Sequence, residues 1–600
     1  MKSALPFRYR VLPAIRLCAL LSAALCALLC SAKTAAQTPG RGTTVSAGGV
    51  PDPAWRTAIA GSMVSGPFAG KSGFVFAGDD RALYGFRDDG RQLWRTSLPG
   101  RATPHITVTG DGFVIAVTDR RRVSLYNPDG RRLWQATLPE QPSFQPVQGR
   151  DGRIFILSGS RLLCYSVTGK QKWHLTLPAA PLAKPNTLND GSLLLLLPNR
   201  EALHLSPWGE IKARIQLPDT AAVTADTPAG AVIGFTNGGI TCYSTAENGS
   251  ENGSGNGSSK GNLETRWSYP SGSRKILRLC AGNSGGGSGI LLAVGSDSFI
   301  YAYNVMTGET EWGIFEYEVY PNSIESISYH NGVFNILAGS IGVGYTIEGT
   351  LQWKRALPAQ VSPSAYTSGG YLVTGGRDWI ITGYKLDAPI VRRERYTPER
   401  SYNTISVQER PLLPPGSSAP VIRFMDTAEQ AFRSGTAGSK EAEYIGELAS
   451  IALFKPPQGA ANMGMRDVEY PATPGMLDRS RAMLLLGESG SLDAQQFLIR
   501  ALEIEEDYSL RTSAVKALGI IAFDPNGKAV QAIRAAILRP GIRDDGFYYT
   551  VCDSVYEICR FMGASSFRAG GLDIIKSLMN DRYGVKVSIY AAKTFEKLAR

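Results

Sequence analysis

The sequence predicts two repeat architectures in one chain: an all-β propeller of eight blades followed by an all-α solenoid. Three observations carry this. A turn glycine followed four residues later by tryptophan returns as Gly90 to Trp94, Gly130 to Trp134, Gly169 to Trp173, Gly308 to Trp312 and Gly349 to Trp353. With Trp55, Trp267 and a degenerate copy at Gly209, where Ala213 replaces tryptophan, the anchors at 55, 94, 134, 173, 213, 267, 312 and 353 lie 39, 40, 39, 40, 54, 45 and 41 residues apart. Beyond about residue 425 strand patterns stop and apolar residues recur at helical spacing.

Taken in order, residues 1–36 read as a secretory signal peptide. Lys2, Arg8, Arg10 and Arg16 form a basic start, Leu17 to Leu29 an apolar run of 13 residues, and small residues follow at Ser31, Ala32, Ala35 and Ala36. Thirteen residues fall short of the roughly 20 that cross a membrane as a helix. No later stretch is long enough either, so no transmembrane segment is expected in the mature chain, which is expected to be exported to the periplasm or another extracytoplasmic compartment. Cys26 and Cys30 leave a lipid anchor open, although Leu25 and Leu29 stand where a lipoprotein signal carries a small residue. Losing residues 1–36 removes five basic residues and no acidic one, which takes the formal charge from +11 to +6. That weak field, with no dense Lys/Arg run interleaved with aromatics, argues against nucleic acid as a partner.

Residues 50–388 hold the blades. Each unit has an apolar strand such as Phe113-Val114-Ile115-Ala116, a second ending in an aromatic or apolar pair such as Val123-Ser124-Leu125-Tyr126, a turn such as Asp129-Gly130, and an outer strand carrying the tryptophan. Glycine supplies the positive φ that a short hairpin needs. The outer strand usually closes with Leu-Pro, as at Leu98-Pro99, Leu138-Pro139, Leu177-Pro178, Leu217-Pro218 and Leu357-Pro358, and proline there ends the strand. A four-stranded blade cannot bury both faces alone, whereas stacking blades around an axis can. The tryptophans are assigned to the seams between blades, where a buried indole covers about 150–250 Å²; at 213 either Trp208 refills the gap or that seam is weaker.

The last unit lacks its own turn, tryptophan and Leu-Pro. Trp55 precedes any first-blade strand, so Ala54-Trp55-Arg56-Thr57 is expected to complete the eighth blade and lock the ring. Residues 246–262, rich in Asn-Gly-Ser, explain the long spacing after 213 and read as a low-complexity loop, with Gly282 to Gly289 a second, shorter insert. Residues 389–424 show neither period and read as a linker.

Residues 425–600 are expected to form three or four helix pairs. Their apolar stripes include Ala514, Ala517, Leu518 and Ile521; Val551, Val555, Ile558 and Met562; Leu572, Ile575 and Met579; and Ile589, Ala592, Phe595 and Leu598. Asp524-Pro525 suits a turn between helices. The phrase from Arg511 to Gly519, with a partial copy from Arg481 to Gly487, resembles HEAT-type repeats.

Blades reading Asp-Gly, Leu-Tyr and Gly-x-x-x-Trp resemble the pyrroloquinoline-quinone-type propeller repeats over roughly residues 50–388. Their regularity and the secretory signal are most similar to the non-enzymatic propellers of outer-membrane-protein assembly. The resemblance implies a non-catalytic scaffold, with protein partners on the loop face of the propeller and in the helical groove. Two other functions stay open at this stage: a quinone-dependent oxidoreductase, and a carbohydrate- or cell-wall-binding propeller.

Side-chain chemistry gives the enzyme little support. The quinone dehydrogenases that share this propeller use a vicinal cysteine pair, which does not occur in this chain. The five cysteines outside the signal, Cys164, Cys242, Cys280, Cys552 and Cys559, show no CxxC spacing and read as free thiols. His105, His174, His204 and His330 fall in separate units and read as surface or strand-end residues. Asp79, Asp80, Asp89 and Asp129 read as turn residues, and Glu503, Glu505, Glu506 and Asp507 as a solvated helix end. No catalytic, cofactor-binding or metal-binding residue is assigned, and no cofactor is expected; the positions singled out are the structural anchors Trp55, Trp94, Trp134, Trp173, Trp267, Trp312, Trp353, Gly90, Gly130, Gly169, Gly308 and Gly349.

Overall fold

In a computed structural model, eight four-stranded antiparallel sheets follow one another in sequence. The structure describes residues 52–599 apart from 71–72, 150, 246–262, 270–274, 284–288, 317–318, 320–322, 331, 340, 357–363, 367–368, 376–378, 386–417, 455–473 and 540–543. The expected signal peptide and its cysteines, the low-complexity loop, most of the second insert, most of the linker and Leu357-Pro358 lie outside the described residues.

In most blades the second and third strands are wholly or almost wholly buried, as in Val114–Thr118 and Leu193–Leu197, while outer strands such as Gln92–Ser97 alternate between exposed and half-buried positions. That difference follows from position. Middle strands have a blade on each face, whereas the outer strand has solvent at its free edge.

The eighth sheet runs in the order Pro53–Ala58, Ile380–Lys385, Tyr371–Gly375, Ser364–Tyr366, with Trp55 opposite Gly383 and Thr57 opposite Ile381. The first strand of the propeller therefore supplies the outer strand of the last blade. Leu98, Leu138, Leu177 and Leu217, each just before the strand-ending proline, donate their N–H to the carbonyls of Arg81, Arg121, Ser160 and Arg200 at 2.7–2.8 Å. Those acceptors sit in the turn between second and third strands. Ile59 makes the matching bond to Trp379 at 2.8 Å, so the borrowed strand is fastened in the same way.

Nine α-helices follow among the described residues: α1 (Ser418–Ser434), α2 (Glu441–Ala452), α3 (Met476–Ser489), α4 (Leu492–Ile504), α5 (Tyr508–Ile521), α6 (Lys528–Ile537), α7 (Asp545–Met562), α8 (Ala564–Leu578) and α9 (Val585–Ala599). The first begins inside the stretch 389–424 read as linker. Helices α3, α5, α7 and α9 pack side by side as one layer, and α2, α4, α6 and α8 as a second. Gly487 and Gly519, aligned in the partial repeat, mark the crossings within the first layer. A Cβ on Gly487 would lie 2.9 Å from Ala517, and one on Gly519 2.6 Å from Ser554. The Asp524 carboxylate accepts the N–H groups of Ala529 at 3.2 Å and Val530 at 3.0 Å, capping α6.

Two expected apolar stripes need correction. Met579 and Ile589 are exposed, while α9 buries Leu598 as expected together with Val587 and Ala591, which the stripe omitted. Among the described residues α9 packs chiefly against α7 and α8, so Ile589 near its start stays exposed while Phe595 packs against the core.

Candidate partner-binding cleft at the propeller–helix junction

The glycine and tryptophan of the recurring phrase meet across blades. Each indole N–H donates to a carbonyl in the next blade's hairpin: Trp55 to Asp88 at 3.0 Å, Trp94 to Pro128 at 2.9 Å, Trp134 to Val167 at 2.8 Å, Trp173 to Pro207 at 3.1 Å, Trp267 to Val305 at 2.8 Å and Trp312 to Ile347 at 2.7 Å. The ring then lies on that hairpin's glycine. Cβ atoms on Gly90, Gly130, Gly169, Gly308 and Gly349 would meet Trp55, Trp94, Trp134, Trp267 and Trp312 at 2.4–2.8 Å. At Gly130 both demands coincide, because its φ of 76° is left-handed as well. Trp353 departs from the pattern and donates to Asn335 of its own blade at 3.0 Å. The reason is topological: the eighth blade takes its outer strand from the N-terminus, so it has no hairpin at that place. Trp208 does not refill the seam beyond Ala213; it lies under Arg153 of the third blade, with the guanidinium 5.4 Å from the ring centre.

The remaining sequence candidates are dispersed. Asp80 accepts bonds from Tyr84 and Arg95, and Asp89 from the Arg91 N–H. His204 is buried, with Nε2 2.9 Å from the Ser192 hydroxyl, which corrects its reading as a surface or strand-end residue. No disulfide joins the described cysteines, and burial pushes the thiols of Cys242, Cys280 and Cys552 up to about 12. Among the described residues no cluster of three or more His, Cys, Asp or Glu is placed to hold a metal ion.

What the sequence did not disclose is the junction between propeller and helices. The described residues fall in one compact unit, and side chains of the second and third blades share one apolar core with the helices. Phe113 of the second blade packs edge-on to Phe523, 5.8 Å between centres, and lies 5.7 Å from Phe561. The turns between paired helices face the hairpins of the blades. Asn127 donates to the carbonyl of Arg560 at 3.2 Å, and Lys170 to Glu488 at 2.6 Å.

At the centre lies a buried charge cluster. Lys172 donates to Glu441 at 2.9 Å and to the carbonyl of Ser489, and its ammonium sits 5.6 Å above the Phe432 ring. Arg153 pairs with Asp151 at 3.1 Å, reaches Glu441 at 3.8 Å and donates to the Pro207 carbonyl at 3.1 Å. Glu441 is fully buried; burial alone would raise its pKa, but Lys172 and Arg153 outweigh that and hold it below the usual glutamate value. Burial pushes Asp493 up to about 7 against the pull of Arg153, and one of its oxygens has no hydrogen-bond partner among the described residues.

Elsewhere in the junction a cleft of about 560 Å³ opens between the outer strand Arg132–Thr137 and helices α5 and α7. Its floor is apolar, from Leu133, Trp134, Ile520 and Phe561; its rim carries Arg131 and Arg132 from the propeller, Lys516 from α5 and Arg560 from α7.

A family model supports the propeller. It is described as Outer membrane protein assembly factor BamB and matches residues 45–190. The match ends within the fourth blade, and the helices lie outside it. Among solved structures, BamB from Moraxella catarrhalis is 10% identical, with 56% of this chain and 100% of that chain covered and a TM-score of 0.40. Sqt1 from Saccharomyces cerevisiae is 11% identical, with 55% and 98% covered and a TM-score of 0.40. A computationally designed protein, Ika8, is 10% identical, with 55% and 98% covered and a TM-score of 0.41. No curated protein matches the chain. Likenesses at this level do not say what the chain binds.

Proposed function

We propose that this protein is a non-catalytic, extracytoplasmic scaffold of the cell envelope that holds protein partners, in or near outer-membrane-protein assembly. The observation that carries the reading is the shared core of propeller and helices. It fixes two repeat surfaces in one body and leaves a cleft between them whose walls come from both. Rigid repeat arrays with open faces suit protein recognition. The matched family's description, an assembly factor, supports the same reading, as does the signal-like N-terminus.

A photo-crosslinking residue placed at Ile520 in the cleft, and another at the exposed Leu477 on α3, would be used in cells with the full chain. The expected result is the same envelope proteins recovered from repeated experiments and co-purifying without crosslinking. Recovery of none, from either position and from affinity purification of the envelope fraction, would sink the proposal.

A further inference from the structure

The junction cleft carries more than a general binding role. Its rim holds four cations against two carboxylates, and those carboxylates are already engaged. Glu557 holds Arg560 at 2.6 Å, and Asp553 accepts the hydroxyl of Tyr590 at 2.7 Å. Arg131 and Lys516 make no ion pair among the described residues. The guanidinium of Arg132 bonds the neutral Gln135 side chain at 3.2 Å. Two exposed cations from the propeller thus face one from α5 across an apolar floor.

The floor is also fixed in shape. Trp134 is held on one side by Gly169, stacks on Tyr165 at 5.8 Å between centres, and has its N–H spent on Val167. Gly519 keeps α5 close against Ser554 at the back. A preformed slot loses little conformational freedom when it fills.

We infer that the cleft binds an acidic peptide segment, an apolar side chain seated on Trp134 and Ile520 and flanked by carboxylates that pair with Arg131, Arg132 and Lys516. Arginine forks receive carboxylates in bidentate fashion, and lysine adds a point charge opposite. A basic or neutral segment would leave these cations uncompensated. The inference rests on the scaffold reading and adds the chemistry of the partner at this one site.

The test uses random dodecapeptides displayed on phage, selected against the full chain, with the binders then measured as synthetic peptides by fluorescence anisotropy. Expected are Asp and Glu enriched beside Leu, Phe or Trp, and affinities that fall as salt rises. Arg131→Glu combined with Lys516→Glu should weaken binding by about tenfold or more with an unchanged melting temperature, and Ile520→Asp should weaken it by acting on the floor instead. No acidic enrichment, or equal binding to the parent and the double variant, overturns the inference. If crosslinking in cells recovers envelope partners whose contacts avoid the cleft, the scaffold reading stands and the acidic-segment assignment falls.

Discussion

Trp94 shows how one side chain serves two blades, since it grows from the first and spends its N–H and its ring on the hairpin of the second. Trp94→Ala removes both contacts and should cost about 3–5 kcal/mol in denaturant unfolding. Trp353→Ala, which loses a bond within one blade, should cost no less through packing but should leave the seam to the eighth blade hydrogen-bonded as before. Amide exchange in the neighbouring blade separates the two cases. Asp493 makes a prediction in pH. Its folded value of about 7 lies above the ordinary 3.8, so the native state binds its proton more tightly than the unfolded chain does. Stability from this group is full below about pH 4 and is lost as pH rises towards about 7. Asp493→Asn should therefore melt above the parent at about pH 8, with the two converging near pH 4; parallel curves would show that the carboxyl titrates in the folded protein as it does in the unfolded chain.

Among the elements, the strand Pro53–Ala58 and the copy at Ala213 turn out to be governed by one rule. An outer-strand tryptophan bonds across the seam where the next blade has a tight glycine hairpin to receive it; Trp353, which has none, turns its N–H to Asn335 of its own blade. At 213 the next hairpin is the one the sequence extends through 246–262, so the missing tryptophan and the long insert are two marks of the same local change. The blade count was legible because strand period, turn glycine and tryptophan all lie within about 40 residues of one another. Which glycine each tryptophan covers was not, because spacing cannot tell a partner in the same copy from one in the next. Deleting residues 53–58 should expose the edge of Ile380–Lys385 and lower the melting temperature of all the blades together; an unchanged transition would mean the ring closes without that strand.

For the whole molecule, helices and propeller share one apolar core, and a charged knot is buried at their junction. Lys172 and Glu441 stand 269 residues apart in sequence, and a lysine beside Trp173 looks like any outward position of an outer strand. No local pattern could reveal that it is buried under α2. Glu441→Gln leaves Lys172 and Arg153 without their anion and should destabilise the protein by about 3–5 kcal/mol, with limited proteolysis cutting between propeller and helices. Because the folded pKa of Glu441 is depressed, its contribution is present above the ordinary glutamate value and disappears as pH falls through the folded one. The borrowed strand also sets an order of events during synthesis. Ala58 leaves the ribosome long before Ile380, an interval of tens of seconds at about 5–20 residues per second. Throughout that time the growing chain carries an unclaimed sheet edge at each end of an incomplete ring, so chaperone demand should peak before the eighth blade emerges and drop once it has.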